Sequence, residues 1–321
     1  MDQQSRCEKI VLKFKALLIF LLFIGFQIGF SQNREDNFFK PSDSLNKKRQ
    51  NTVVISEAVL ATGTLVGLNQ LWYANYSKSD FHFINDNVEW LQMDKAGHVF
   101  SSYQLGRFGA EMLHWSGANK KNQLLYGAGL GFAFLTAVEV LDGYSSEWGA
   151  SSGDIIANAS GTALYVSQEL IWNEQRITPK FSFHTTKYAN FRPEVLGSSF
   201  SEQILKDYNG QTYWLSVNLH SFAKGSKIPK WLNFAFGYGA EGMLTGNRDN
   251  SVALSTTNPK RFRQFYLSLD VDLTKIKTNS HFLKTVFSIL NTVKIPAPAI
   301  EFVRFNDVKY HFIYFYKSLT T

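Results

Sequence analysis

The sequence predicts an α+β protein, an N-terminal four-helix bundle-like core followed by an antiparallel β-sheet or partial barrel. Two pattern changes carry that reading. Apolar residues recur with helical spacing from Asn51 to about Ile177, and beyond Ile177 the period shortens to two. A third observation fits both halves: 45% of residues are hydrophobic and 18% charged, enough apolar surface for a packed core.

Residues 1–31 read as a secretory signal peptide. Arg6, Lys9, Lys13 and Lys15 precede the apolar run Ala16–Phe26, and Gly29-Phe30-Ser31 ends in a small-x-small cleavage pattern before Gln32. Export to the periplasm or outer membrane of a Gram-negative bacterium follows as an expectation. The sole cysteine, Cys7, precedes the apolar run, where a lipoprotein's lipid-bearing cysteine follows it. The mature chain is therefore expected to lack disulfides and thiol chemistry. Residues 32–50, polar and carrying Pro41 and Lys47-Lys48-Arg49, read as a flexible lead.

The helical domain, residues 51–177, contains four apolar-periodic stretches: Thr52–Tyr73, Asp94–Trp115, Asn122–Leu141 and Ile155–Trp172. Gly63/Gly67 and Gly127/Gly131 form Gly-x-x-x-Gly pairs, which permit close helix approach in membranes or in soluble bundles. Glu57 and Glu139 interrupt the two most apolar stretches, so partial insertion or a soluble bundle is favoured over clean spanning helices.

The β region, residues 178–321, opens with strand candidates at Gln211–Ser221 and Trp231–Met243. Phe265, Leu267, Leu269, Val271 and Leu273 alternate with Gln264, Tyr266, Ser268, Asp270 and Asp272, a strand with one dry face. An amphipathic helix is expected over residues 281–291. Ala299–Phe305 and Tyr310–Tyr316 read as a hairpin around Asn306-Asp307. Five or six strands fall short of the eight of the smallest usual transmembrane barrel. A sheet leaning on the helices or on lipid is expected.

The formal charge is +7, but the basic residues are scattered and match no nucleic-acid module. No glycine-rich loop follows a strand, so neither nucleic acid nor a nucleotide is expected as partner or cofactor. Envelope lipid or an envelope protein is the expected partner. Aromatic residues make up 15% of the chain, an excess that suits strands or a membrane boundary.

The chemistry-bearing residues concentrate in the helical half: Asp94-Lys95-x-x-His98, then Glu139-x-x-Asp142, then Ser151-x-x-Asp154-x-x-x-Asn158. Residues three or four apart share a helix face, so three helices each present a polar pair toward a common interior. Glu139, Asp142, Asp154 and His98 are the candidate catalytic set, and Asp94, Lys95, Ser151 and Asn158 a binding or structural network around it. A single histidine among carboxylates would suit Mg, Mn or Ca better than Zn, although no cofactor is required by the pattern. The plainer alternative is structural: Asp94 as a helix N-cap, Ser151 and Asp154 as a capping box, and Asp142-Gly143 as a helix exit. Gly149-Ala150-Ser151-Ser152-Gly153 fits the G-x-S-x-G nucleophile pattern, but a helix and connector precede it rather than a strand.

The runs DKAGHVFSSYQLGR, EVLDGYSSEWGASSGDIIANASGTALY and LKDYNGQTYWLS resemble the YfiM-like family, domain of unknown function 2279, over roughly Asn51 to Met243. The D-K-x-x-H and D-x-x-x-N-x-x-G elements bear a weaker likeness to VanZ-like membrane proteins. The first resemblance implies a periplasmic lipoprotein with a helical core and no assigned reaction. The expected function is a structural or lipid/partner-binding envelope component. The rivals are a membrane-proximal enzyme acting on lipid or cell-wall material, and an outer-membrane transport or assembly part.

Overall fold

The computed structural model describes residues 38–70, 76–247, 259–303 and 307–312. The expected signal peptide lies outside them, as do residues 32–37 of the lead and the chain beyond Phe312. The chain divides into two compact units, one of Met1–Lys40 with Thr278–Val286 and the other holding the remainder. In the first, Phe39 packs edge-on against Phe282 with ring centroids 5.2 Å apart.

In the second unit, α1 (Lys47–Leu68) begins inside the expected lead. Asn46 caps it by accepting from the Arg49 amide at 3.1 Å. Only Val53 of α1 is buried, against Leu113 and Ala118, while Val54, Ile55, Val59, Leu60 and Val66 are exposed. A two-residue strand, β1 (Phe83–Ile84), precedes α2 (Met93–Trp115). Between them Trp90, Leu91 and Gln92 take φ of 46°, 51° and 63°, three consecutive left-handed residues. Next come α3 (Lys120–Gly143, with one π-type turn over Gln123–Ala128), β2 (Ala150–Ser151) paired parallel to β1, and α4 (Ser152–Ile171). By length and composition α1 and α3 are apolar enough to cross a membrane, despite Glu57 and Glu139.

The helices α2, α3 and α4 pack tightly on one another, with α1 attached near the end of α2 rather than completing a symmetric bundle. Glycines set the closeness. A Cβ on Gly131 would lie 2.0 Å from the Ser102 carbonyl oxygen, and one on Gly161 would lie 2.1 Å from the Ser102 hydroxyl. A Cβ on Gly63 or Gly67, the other pair, would meet no atom of a neighbouring element within 4 Å among the described residues. Gly131→Ala is therefore expected to destabilise the protein by about 1–3 kcal/mol through forced separation of α2 and α3. Gly63→Ala is expected to be neutral or stabilising by up to about 1 kcal/mol through helix propensity. Thermal melts of the two variants in detergent check the contrast.

The β region is one six-stranded antiparallel sheet in sequential order: β3 (Ile177–Phe183), β4 (Gln211–Asn218), β5 (Leu232–Glu241), β6 (Phe262–Val271), β7 (Ala299–Val303) and β8 (Asp307–His311). The short α5 (Phe200–Lys206) precedes β4, and α6 (His281–Leu290) lies between β6 and β7. Among the described residues the sheet does not close, and residues 292–294 cover part of the edge of β3, where the Phe181 amide donates to Thr292 O at 2.9 Å. It leans on α2 through Phe100, whose ring lies 5.7 Å from Phe181 and 5.8 Å from Tyr213.

One expectation is reversed. Alternation along β6 gives it one dry face, but the residues removed from solvent are Gln264, Tyr266, Ser268 and Asp270; Phe265, Leu267 and Leu269 point outward. The cause is an interior built on charge. Lys180 and Asp270, both fully buried, pair at 2.8 Å, and Ser216 donates to Asp270 at 2.7 Å. Turning β6 over would strand those groups against apolar neighbours, a larger penalty than leaving Leu267 and Leu269 outside.

Candidate functional site

Three glycine-tightened helices place their polar pairs around one point. On α2, Asp94 and His98 project together one turn apart, as their spacing requires. His98 Nδ1 lies 2.9 Å from Asn158 Oδ1 on α4, and an amide oxygen only accepts, so Nδ1 carries a proton. That bond turns Nε2 toward three carboxylates: Asp94 Oδ1, Glu139 Oε1 and Asp154 Oδ1, each 3.8 Å away. These separations are too long for direct hydrogen bonds. Asp94, His98 and Asp154 offer ligand atoms all within 4.8 Å of one another.

Lys95 flanks this point, with Nζ 2.7 Å from Asp86, 2.8 Å from Asp154 and 3.2 Å from Asp94. The Tyr208 hydroxyl donates to Asp94 Oδ1 at 2.7 Å. Glu139 is fixed from behind, its Oε2 accepting from the Ser151 amide at 3.0 Å. Ser151 caps α4 by accepting from the Asp154 amide at 3.2 Å, and its hydroxyl donates to Asp86 at 2.5 Å. The capping half of the expected box is therefore present, while the Asp154 carboxylate turns to Lys95 instead. A two-residue strand does precede α4, but the Ser151 hydroxyl is committed to the cap and to Asp86, which leaves no support for a nucleophile elbow. Asp94, expected as an N-cap, is already inside α2, whose N-cap is Gln92.

The charges shift one another. Burial opposes a charged imidazole, but Asp94, Asp154 and Glu139 outweigh it and hold the His98 pKa above its ordinary value. Burial likewise opposes ionisation of Asp94, yet His98, Lys95 and the Tyr208 hydrogen bond bring it below the usual carboxylate range. For Asp154, burial and then the Asp94 charge prevail, pushing its pKa up to about 7. Burial and Asp94 together push the Tyr208 phenol well up, so it remains a donor. The Asp154 side chain is 5% exposed, and its Oδ1 has no hydrogen-bond partner although Lys95 lies beside it.

A cavity of about 290 Å³ opens onto the centre, lined by the carboxylates of Asp86, Glu89, Asp94, Glu139, Asp142 and Asp154 and by apolar Leu68, Ile84, Trp90, Val138 and Trp148. Every candidate named from the sequence gathers here, with Asp142 on the cavity wall outside the three-residue ligand set and Asn158 behind His98. Asp86, Glu89 and Tyr208 join them without any mark in the sequence spacing. Asp86 and Glu89 sit in the irregular approach to α2, where no periodicity marks them. Tyr208 falls within the LKDYNGQTYWLS run, and its neighbours explain its aim: Asp207 accepts from Thr186 at 2.5 Å, and Asn209 donates to Met243 O at 2.9 Å, locking the turn.

Residues 80–168 match the model of a family described as predicted periplasmic lipoprotein, domain of unknown function 2279. The match holds the first two of the three resembling runs and every residue lining the cavity except Leu68 and Tyr208. It supports an exported, envelope location for a protein of an uncharacterised family. No curated protein and no solved structure matches the chain.

Proposed function

We propose that this envelope protein binds a divalent cation of the Mg, Mn or Ca class at His98, Asp94, Asp154 and Glu139, as a binding centre that organises its helical half. The observation that carries the reading is His98 Nε2 held 3.8 Å from three carboxylate oxygens while Asn158 occupies Nδ1. Ligands about 2.1–2.4 Å from one ion stand about 3–4 Å apart when adjacent, which fits this spacing. One imidazole with three carboxylates is a hard, oxygen-rich donor set. Six carboxylates line the cavity against Lys95 and His98, so a dication also offsets a local excess of negative charge.

The test is Mn²⁺ titration of the chelator-stripped full chain in detergent, followed by electron paramagnetic resonance. One ion per chain is expected, with Asp154→Asn and His98→Ala each weakening binding more than about tenfold. Absence of binding, or equal uptake by the double variant, would overturn the proposal. The apolar wall formed by Leu68, Ile84, Trp90, Val138 and Trp148 favours a second reading, that an amphiphile's headgroup enters this cavity beside the ion and is processed there. Mn²⁺-dependent turnover of short-chain phospholipid, lost in Asp154→Asn, is the result expected on that reading.

A further inference from the structure

We propose that the outward face of the six-stranded sheet lies against the acyl chains of a lipid bilayer. The strand register assembles this face into rows that run across the sheet. One row is Leu215, Phe236, Leu267, Ile300 and Tyr310, paired strand to strand from β4 to β8. A second, Phe265, Phe302 and Val308, lies two residues along, its continuation to Tyr238 and Tyr213 passing under the helical half, where Tyr238 donates to Leu91 O and the Tyr213 ring lies 5.8 Å from Phe100; a shorter third is Val217, Phe234 and Leu269. No charged residue falls in any of them, and Phe236 and Tyr310 are 55% and 80% exposed.

The opposite face is polar and sealed, with Lys180, Ser216, Asp270 and Glu301 all at 0–1% exposure. In water that arrangement puts each set of side chains in the wrong solvent. In a bilayer, apolar-out and polar-in is the arrangement strands adopt. The two central strands agree in length: β5 and β6 are ten residues each, within the roughly 9–11 a tilted strand needs to cross a bilayer, while β3, β4, β7 and β8, at seven, eight, five and five residues, reach only part of the way. A groove of about 480 Å³ lined by Phe234, Leu267, Leu269, Ile300, Tyr310 and Phe312 runs over this face, suited to a hydrocarbon chain. Exposed Val59, Leu60 and Val66 on α1 carry uncharged surface onto the helical half as well. A second copy would cover one patch of such a surface, whereas lipid covers all of it.

The experiment uses the full chain with its one cysteine replaced (Cys7→Ser) and single cysteines introduced as Leu215→Cys, Phe236→Cys, Leu267→Cys and, as control, Lys224→Cys. Each is nitroxide-labelled and reconstituted into phosphatidylethanolamine/phosphatidylglycerol vesicles. At 215, 236 and 267 accessibility to oxygen is expected to exceed accessibility to a water-soluble nickel chelate several-fold, and the order to reverse at 224. Nickel access at the three row positions equal to that at 224 would overturn the proposal. So would spin–spin broadening at those positions, which would place a second copy there. Leu267→Arg provides an independent readout, with vesicle incorporation expected to fall about tenfold while an unchanged far-ultraviolet circular dichroism spectrum in detergent reports that the chain still folds. Unchanged incorporation would count against lipid contact.

Discussion

Asp270→Ala is expected to destabilise the protein by about 3–5 kcal/mol, the range for removing one partner of a buried ion pair. Asp270 Oδ2 lies 2.8 Å from Lys180 Nζ and Oδ1 lies 3.8 Å from Lys294 Nζ, with all three side chains at most 1% exposed. The same carboxylate accepts from Ser216 Oγ at 2.7 Å and from the Ile295 amide at 3.1 Å. Without it, two buried ammonium groups keep only carbonyl acceptors, Val271 O for Lys180 and Leu269 O and Ile295 O for Lys294. Urea unfolding followed by fluorescence measures the loss, since Trp214 sits in this core with Lys294 Nζ 5.1 Å from its ring. The double variant Lys180→Met/Asp270→Leu is expected to lose less than Asp270→Ala, because exchanging both charges for apolar groups strands only one ammonium. A loss below about 1 kcal/mol for Asp270→Ala would mean the interior admits water freely and is not the sealed polar core described above.

Lys95→Met is expected to lower stability by about 3 kcal/mol, the low end of the same range because the lysine side chain is 15% exposed. Its ammonium neutralises Asp86, Asp94 and Asp154 together, and methionine keeps the length without the charge. Thermal unfolding at fixed detergent concentration, with and without Mn²⁺, checks this. If the centre takes a dication, Mn²⁺ recovers part of the loss and binds at least as tightly as in the parent, since more negative charge faces it. If the polar residues only hold the helices together, Mn²⁺ changes nothing.

Helical pitch makes most of the centre legible in the sequence. Asp94/His98 and Asp154/Asn158 share faces because residues four apart do so, and Ser151 caps α4 as its position before Asp154 implies. What pitch cannot supply is the partner arriving from a distant element, so Asp86 and Tyr208, fixed by a loop and a locked turn, carried no periodic mark. Strand positions read well where apolar and polar residues alternate, as in β6. The strand β3 carries no clear alternation because Pro179 and Lys180 break the pattern, though Lys180 is there to meet Asp270. The phase of alternation was visible and its direction was not. Choosing which side is inside from hydropathy alone favours the apolar set, and the buried Lys180–Asp270 pair reverses that choice.

The left-handed run Trp90–Gln92 ties the two halves together. Each non-glycine residue in that conformation costs about 1–2 kcal/mol, so something must hold it. The holders come from the strand region: Gly246 O accepts from the Trp90 amide at 2.9 Å, Tyr238 donates to Leu91 O, and Arg263 reaches Gln92 at 2.6 Å. Two residues later the chain reaches Asp94. A fragment cut to residues 80–168 would keep the family's signature yet lose the clamp that winds its entrance, letting the first turn of α2 unspool. The recognisable segment is thus a dependent module, whose geometry is set by a hairpin beyond its own borders.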